Sequence, residues 1–183
     1  MTREPSGCQS GPVNSVSRVL VIIRHAKAEP SAATDHERRL TDAGRADAGE
    51  AGDWLAGFGV VPDRVLVSSA ARTRDTWESL AEGAAYAVEP VFDDSLYAAG
   101  PETALDLLRE TSDEVTTLLV IGHNPTMAFL AQMLEDGEGD AGASSAMAEG
   151  FPTTAVAVLA HDGSWAELEM SGATLRAFHV GRG

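Results

Sequence analysis

Residues 18–29 read Arg18-Val19-Leu20-Val21-Ile22-Ile23-Arg24-His25-Ala26-Lys27-Ala28-Glu29. The run from Val19 to Ile23 is continuously apolar and rich in β-branched side chains. That pattern predicts a short strand buried on both faces, the usual state of a central parallel strand. The run stops abruptly at Arg24-His25. Ligands in α/β sheets collect at the carboxyl ends of such strands. A guanidinium beside an imidazole at that point predicts an anion site with a nucleophile in it.

Length and composition bound what surrounds this strand. The chain has 183 residues and a formal net charge of −15. One domain is expected over 18–183, behind a disordered lead-in over 1–17 that is rich in Ser, Gly and Pro. The bulk acidity argues against nucleic acid or an anionic membrane as partner. It leaves room for an anionic substrate, because a local cationic pocket dominates at short range. Cys8 is the single cysteine, so neither an internal disulfide nor a Cys-rich metal site is expected. No apolar run approaches a membrane span, and the first residues lack the apolar core of a signal peptide. The expectation is a cytoplasmic protein.

Along the chain, Ala26–Leu40 reads as a loop draped over the strand end. Thr41 is placed to cap a helix running to about Ala56, weakened by Gly44, Gly49 and Gly52 and ended by Gly57 and Gly59. Arg64–Ser68 is a second short strand, and the helix after it carries Arg72 in its first turns. Val88–Phe92 is read as a third strand. Asp93–Gly100 is a loop, and Pro101 opens a helix with an Ala104, Leu105, Leu107, Leu108 stripe. Thr117–Gly122 is another buried strand. Asn124 is expected to cap the helix that follows, with Pro125 next and an end near Leu134. Gly137–Gly150 reads as a mobile loop or a weak helix. Thr154–Ala160 and Ser164–Met170 are read as strands joined at Asp162-Gly163, with an edge strand over Thr174–Val180. The alternation predicts an α/β fold: a three-layer α/β/α sandwich on a mostly parallel central sheet.

Two of these strands end in histidine, at Ile23-Arg24-His25 and Ile121-Gly122-His123. If they are neighbours, their ends gather two imidazoles, with Arg24 and Arg72 close by. That set suits phosphoryl transfer: a neutral imidazole can attack phosphorus, and the Arg fork matches phosphoryl oxygens. The helix after Asn124 would add amide donors. Metal binding at His25 and His123 is disfavoured by the flanking arginines, and no cofactor is expected. Trp54, Trp77 and Trp165 read as packing residues, and His36, His161 and His179 as solvated.

Three blocks carry a family resemblance: Arg24-His25-Ala26-Lys27-Ala28, Ser68-Ser69-Ala70-Ala71-Arg72-Thr73-Arg74-Asp75-Thr76, and Gly122-His123-Asn124-Pro125. In order and spacing they resemble the histidine phosphatase superfamily, whose fold is phosphoglycerate-mutase-like. Arg38–Arg45 and Asp94-Ser95-Leu96-Tyr97 resemble its SixA-like phosphohistidine phosphatase branch. The resemblance implies a hydrolase acting on a phosphorylated protein or a small phosphorylated substrate. His25 would be the nucleophile. Arg24, Arg72 and His123 would bind the phosphoryl group, His123 in its protonated form. Arg72 is preferred over Arg74 from the motif. Lys27, Ser31 and Arg38 would be peripheral. Ala26 stands where the signature has glycine, and Ala28 where many members carry a hydroxyl. Asp93 and Asp94 are the candidates for a proton donor. A small-molecule phosphomonoesterase, a mutase and a non-catalytic phosphoprotein-binding module are the competing readings.

Overall fold

The computed structural model describes residues 17–183. The lead-in expected over residues 1–17, with Cys8, lies outside the described residues except for Ser17, which already opens the first strand. Six strands form one sheet: β1 (Ser17–Arg24), β2 (Arg64–Ser68), β3 (Val91–Asp93), β4 (Thr117–Gly122), β5 (Ala155–Asp162) and β6 (Thr174–Val180), in the order β3-β2-β4-β1-β5-β6. The first four strands in that order run parallel; β5 alone runs against them, and β6, antiparallel to β5, returns to their direction. Five helices flank the sheet: α1 (Asp42–Phe58), α2 (Ala71–Ala84), α3 (Pro101–Arg109), α4 (Thr126–Leu134) and α5 (Ala141–Glu149).

Alternation along β1 explains the two outer layers. Leu20 and Ile22 face one core, shared with α3, α4 and α5 through Leu105, Leu108, Leu130, Leu134 and Met147. Val21 and Ile23 face the other, shared with α1 and α2 through Leu55, Trp77 and Leu80. Each such side chain contributes roughly 1.5–3 kcal/mol by leaving water. The period of two therefore makes β1 the shared spine of both cores.

The glycines of α1 have a packing purpose. A Cβ on Gly52 would lie 2.1 Å from the Leu80 carbonyl oxygen of α2, and one on Gly83 would lie 2.1 Å from the Gly49 oxygen. The helices touch backbone to backbone, so the loss of helix propensity is offset by close contact. Thr41 caps α1 as expected, accepting from the Gly44 amide.

Several sequence expectations need correction. The third strand covers only Val91–Asp93, and residues 88–90 lie outside it. Gly137–Gly150 contains a true helix, α5, because the Asp140 side chain caps it by accepting from Ala143 N at 2.8 Å. Ser164–Met170 is not a strand. Trp165 and Leu168 are buried while their neighbours are exposed, which is a helical spacing of three. Ser164 and Glu167 cap one another around the 3₁₀ turn Trp165–Glu167. Trp165 Nε1 donates to the Val115 carbonyl at 2.7 Å, so the indole plugs the core and the strand resumes only at Thr174.

Candidate active site

Strand register builds the site. Arg24 is paired with Gly122 across β1 and β4, so His25 and His123 step off the sheet side by side. The His25 amide extends the ladder by one bond, donating to Gly122 O at 3.0 Å. The two rings have centroids 5.2 Å apart, close to the spacing of adjacent strands. On the far side of β4, Val67 pairs with Ile121, and Ser68 follows it. Ser68 Oγ shares a hydrogen bond of 2.8 Å with His123 Nε2.

His25 is held in one tautomer. Its Nδ1 lies 2.8 Å from the Ala26 carbonyl oxygen, which can only accept, so the proton sits on Nδ1 and Nε2 carries the lone pair. Burial pushes the His25 pKa down to about 4; the Ala26 bond opposes this, and the Arg72, Arg24 and Arg38 charges add to it. Ala26 itself is fully buried with Leu40 and Ala48, and its amide donates to Thr76 Oγ1 at 3.0 Å. The side chain that replaces glycine there fills a small apolar gap and has an ordinary negative φ.

Arg72 is buried in the first turn of α2, whereas Arg74 is exposed, its guanidinium 4.1 Å from the centre of the Phe92 ring. Arg72 Nη1 donates to the Asp35 carbonyl at 2.8 Å and Nη2 to Asp35 Oδ2 at 3.1 Å. Arg24 is half-buried, and its Nη1 donates to Phe151 O at 3.0 Å. The Nε atoms of both arginines and Nδ1 of His123 are buried with no hydrogen-bond partner among the described residues. Orphaned buried donors are costly, and an oxyanion would satisfy them.

The protonated His123 expected beside a bound phosphoryl group is not the state that the ligand-free site favours. Burial, reinforced by the Arg72 and His25 charges, pushes its pKa down to about 3. In the ligand-free site it is neutral, because a second cation beside Arg72 would be unscreened there. Asn124 does not cap α4. Its Nδ2 donates to Phe151 O at 2.8 Å, and Pro125 precedes the helix without a side-chain cap. The Met127 amide is taken by the His123 carbonyl at 3.0 Å, so α4 offers fewer free amides than its sequence promised.

Asp93 and Asp94 stand apart from the four residues of the rim. Asp93 pairs with Ser68 across β2 and β3, so β2 lies between its backbone and β4, a distance of two strand spacings or roughly 10 Å. Its Oδ1 accepts from Ser95 N at 2.7 Å. Asp94 precedes the 3₁₀ turn Ser95–Tyr97 and is exposed. Neither forms a hydrogen bond or ion pair with Arg24, His25, Arg72 or His123 among the described residues. Lys27 and Ser31 are exposed, and Arg38 bonds Asp35 and Glu29.

Sequence reasoning missed Asp35, Tyr97 and Ser68. Asp35 lies on a polar loop with no periodic signal, while Ser68 and Tyr97 stood inside recognised blocks without a role. The other histidines, expected to be solvated, each have a partner, and His161 is buried. His36 bonds Ser69 Oγ at 3.1 Å, and His161 is buried between the carbonyls of Gly172 and Ser164. His179 is half-buried, pairs with Glu50 and stacks on Trp54. Beside Arg24, α5 and the end of β6 enclose an open groove of about 670 Å³ lined by Phe151, Pro152, Phe178 and Val180.

The sheet rim thus carries paired histidines with two arginines beside them. The model of the histidine phosphatase superfamily (branch 1) matches residues 20–97. An uncharacterized protein of Mycobacterium tuberculosis is 41% identical over 164 residues, covering 87% of this chain and 100% of that one. A solved structure proposed to be the phosphohistidine phosphatase SixA of Nakamurella multipartitia is 31% identical, covers 97% of this chain and 99% of its own, and superposes with a TM-score of 0.79. The protein histidine phosphatase SixA in complex with tungstate is 25% identical, with 88% and 96% coverage and a TM-score of 0.72. The chain belongs to the histidine phosphatase superfamily, and its fold is that of the SixA-like members. No helix among the described residues is long and apolar enough to cross a membrane.

Proposed function

We propose that this protein hydrolyses phosphoryl groups through a phosphohistidine on His25 and that its substrate is a protein phosphohistidine. The observation that carries the reading is the fixed tautomer of His25, which aims an unprotonated Nε2 from a site with orphaned arginine donors. Nε2 donates its electron pair to phosphorus, and the bond from phosphorus to the leaving atom breaks. The leaving atom takes that pair and a proton from water. Water then attacks the phosphohistidine, releasing phosphate and restoring neutral His25. Arg24 and Arg72 would hold the phosphoryl oxygens through both steps. His123, whose ring centroid lies 5.2 Å from that of His25, would contact the same group.

The state of the nearby carboxylates supports the substrate class. Asp93 and Asp94 make no bond to the cage, and Asp35 is held ionised, its pKa lowered to about 2 first by the Tyr97 hydrogen bond and then by Arg38 and Arg72. None of these three carboxylates is poised to protonate an alkoxide leaving group. A phosphoramidate nitrogen accepts its proton readily, and an aryl oxide needs little help. A small-molecule phosphomonoester is the second reading, favoured by the groove beside Arg24, whose size suits a small ligand. A substrate panel tests the choice: a phosphohistidine protein, an aryl phosphate and sugar phosphates, each with wild type and His25→Ala. The phosphohistidine protein is expected to give the highest kcat/KM, with no turnover by the variant. A clear preference for sugar phosphates would overturn the assignment.

A further inference from the structure

Asp35 joins three chain segments around His123. Its carbonyl and Oδ2 receive both terminal nitrogens of Arg72, leaving the buried Nε of that guanidinium unmatched. The same Oδ2 accepts from the Tyr97 hydroxyl at 2.8 Å, and Oδ1 accepts from Arg38 Nε at 2.9 Å. Tyr97 meets His123 edge to face, with centroids 5.5 Å apart at 90°, and Arg72 Cζ lies 5.8 Å from the Tyr97 ring centre. His36 closes the set by packing on Tyr97 at 4.9 Å. The loop after β1, the first turn of α2 and the 3₁₀ turn after β3 therefore converge on one carboxylate.

We propose that Asp35 is a positioning residue of the phosphoryl site, holding the terminal edge of Arg72 so that its Nε edge meets the oxyanion, and seating Tyr97 against His123. This rests on the phosphatase reading for its catalytic consequence but not for its anion-binding one. The guanidinium fork gains selectivity for an oxyanion only when its rotation is fixed. Asp35 does that through two of its own oxygens, and it exchanges no proton. A carboxylate so placed has a competing interpretation, a stand-in anion that substrate must displace. The two interpretations give opposite signs on removal of the charge.

The test compares wild type, Asp35→Asn, Tyr97→Phe and the double variant. Inorganic phosphate affinity is measured by calorimetry, kcat and KM on 4-nitrophenyl phosphate, and the melting midpoint by circular dichroism. Asp35→Asn is expected to weaken phosphate binding roughly tenfold and to lower kcat by about 10- to 100-fold, the scale of a misplaced catalytic group. Tyr97→Phe gives a smaller loss, and the double variant is no worse than Asp35→Asn, because both act through one unit. Phosphate affinity that is unchanged or tighter in Asp35→Asn overturns the proposal, as does full additivity in the double variant. If Asp35→Asn melts early, Tyr97→Phe decides, since it removes only the hydroxyl; unaltered phosphate affinity and kcat there overturn the proposal. Loss of phosphate binding in an enzyme that turns nothing over keeps the positioning role and refutes the phosphatase. Turnover equal to wild type in Asp35→Asn does the reverse.

Discussion

The imidazoles of His25 and His123 stand 5.2 Å apart because Arg24 and Gly122, the residues before them, are register partners in adjacent parallel strands. Neither ring is placed by a flexible loop. A one-residue slip between β1 and β4 would send one histidine to the opposite face of the sheet. The pair thus inherits its geometry from a buried ladder at the centre of the sheet.

That geometry sets the acid limb of activity. Burial, with the Arg72 and Arg24 charges, keeps His25 unprotonated down to about pH 4. The kcat/KM for an aryl phosphate, corrected for substrate ionisation, should stay level from neutral pH and decline only as pH approaches about 4. A free-enzyme inflection near the ordinary histidine value of about 6.5 would show that Nε2 is not protected as described.

Stability should follow the same two groups. Both folded pKa values lie below the unfolded value of about 6.5, at about 4 for His25 and about 3 for His123. Between those limits the unfolded chain binds protons that the folded chain refuses, so stability is present above about 6.5 and is lost as pH falls. Urea unfolding across this window should show a slope that is shallower in the His25→Asn, His123→Asn double variant. Parallel slopes for the two proteins would contradict the assignment.

The contact between α1 and α2 predicts opposite signs for two alanines in one helix. A Cβ on Gly52 meets the Leu80 carbonyl, whereas a Cβ on Gly57 meets nothing within 4 Å. Gly52→Ala should destabilise by about 2 kcal/mol or more through overpacking. Gly57→Ala should stabilise by about 0.5–1 kcal/mol through helix propensity. Chemical denaturation of both variants checks the pair, and equal signs would contradict it.

Asp75 predicts a cost that does not depend on its ion pairs. Its carboxylate is buried and accepts from the Leu40 amide at 3.1 Å, besides meeting Arg39 and Arg45. Those arginines are partly exposed, so the pairs themselves contribute little. Asp75→Ala leaves the Leu40 amide unsatisfied and should cost about 1–3 kcal/mol. Arg39→Ala should cost under about 1 kcal/mol. Thermal melts of the two variants would refute the account if their order were reversed.

What the chain disclosed before its structure follows from where its information is local. The β-branched runs before Arg24 and Gly122 and the caps at Thr41 and Pro101 are short-range signals, and they placed β1, β4, α1 and α3. Arg72 was separable from Arg74 only by motif, and burial agrees with that choice. The segment 164–170 misled because Trp165 and Leu168 mimic an apolar strand while a capping box turns the backbone. Asn124 misled because the Met127 amide it would cap bonds the His123 carbonyl instead, leaving Asn124 Oδ1 without a partner among the described residues. Asp35 was invisible for the opposite reason: an acidic residue on a polar loop gains meaning only when Arg72 and Tyr97 arrive from elsewhere.

The central claim is that the phosphoryl group passes through His25. Rapid quenching of the enzyme with an activated aryl phosphate, followed by peptide mass spectrometry under mildly alkaline conditions that preserve phosphohistidine, measures it directly. One phosphoryl group on His25, absent in His25→Ala and accumulating in a variant slowed in its hydrolysis, is the expected result. A phosphoryl group on any other residue, or full turnover by His25→Ala, would contradict the mechanism.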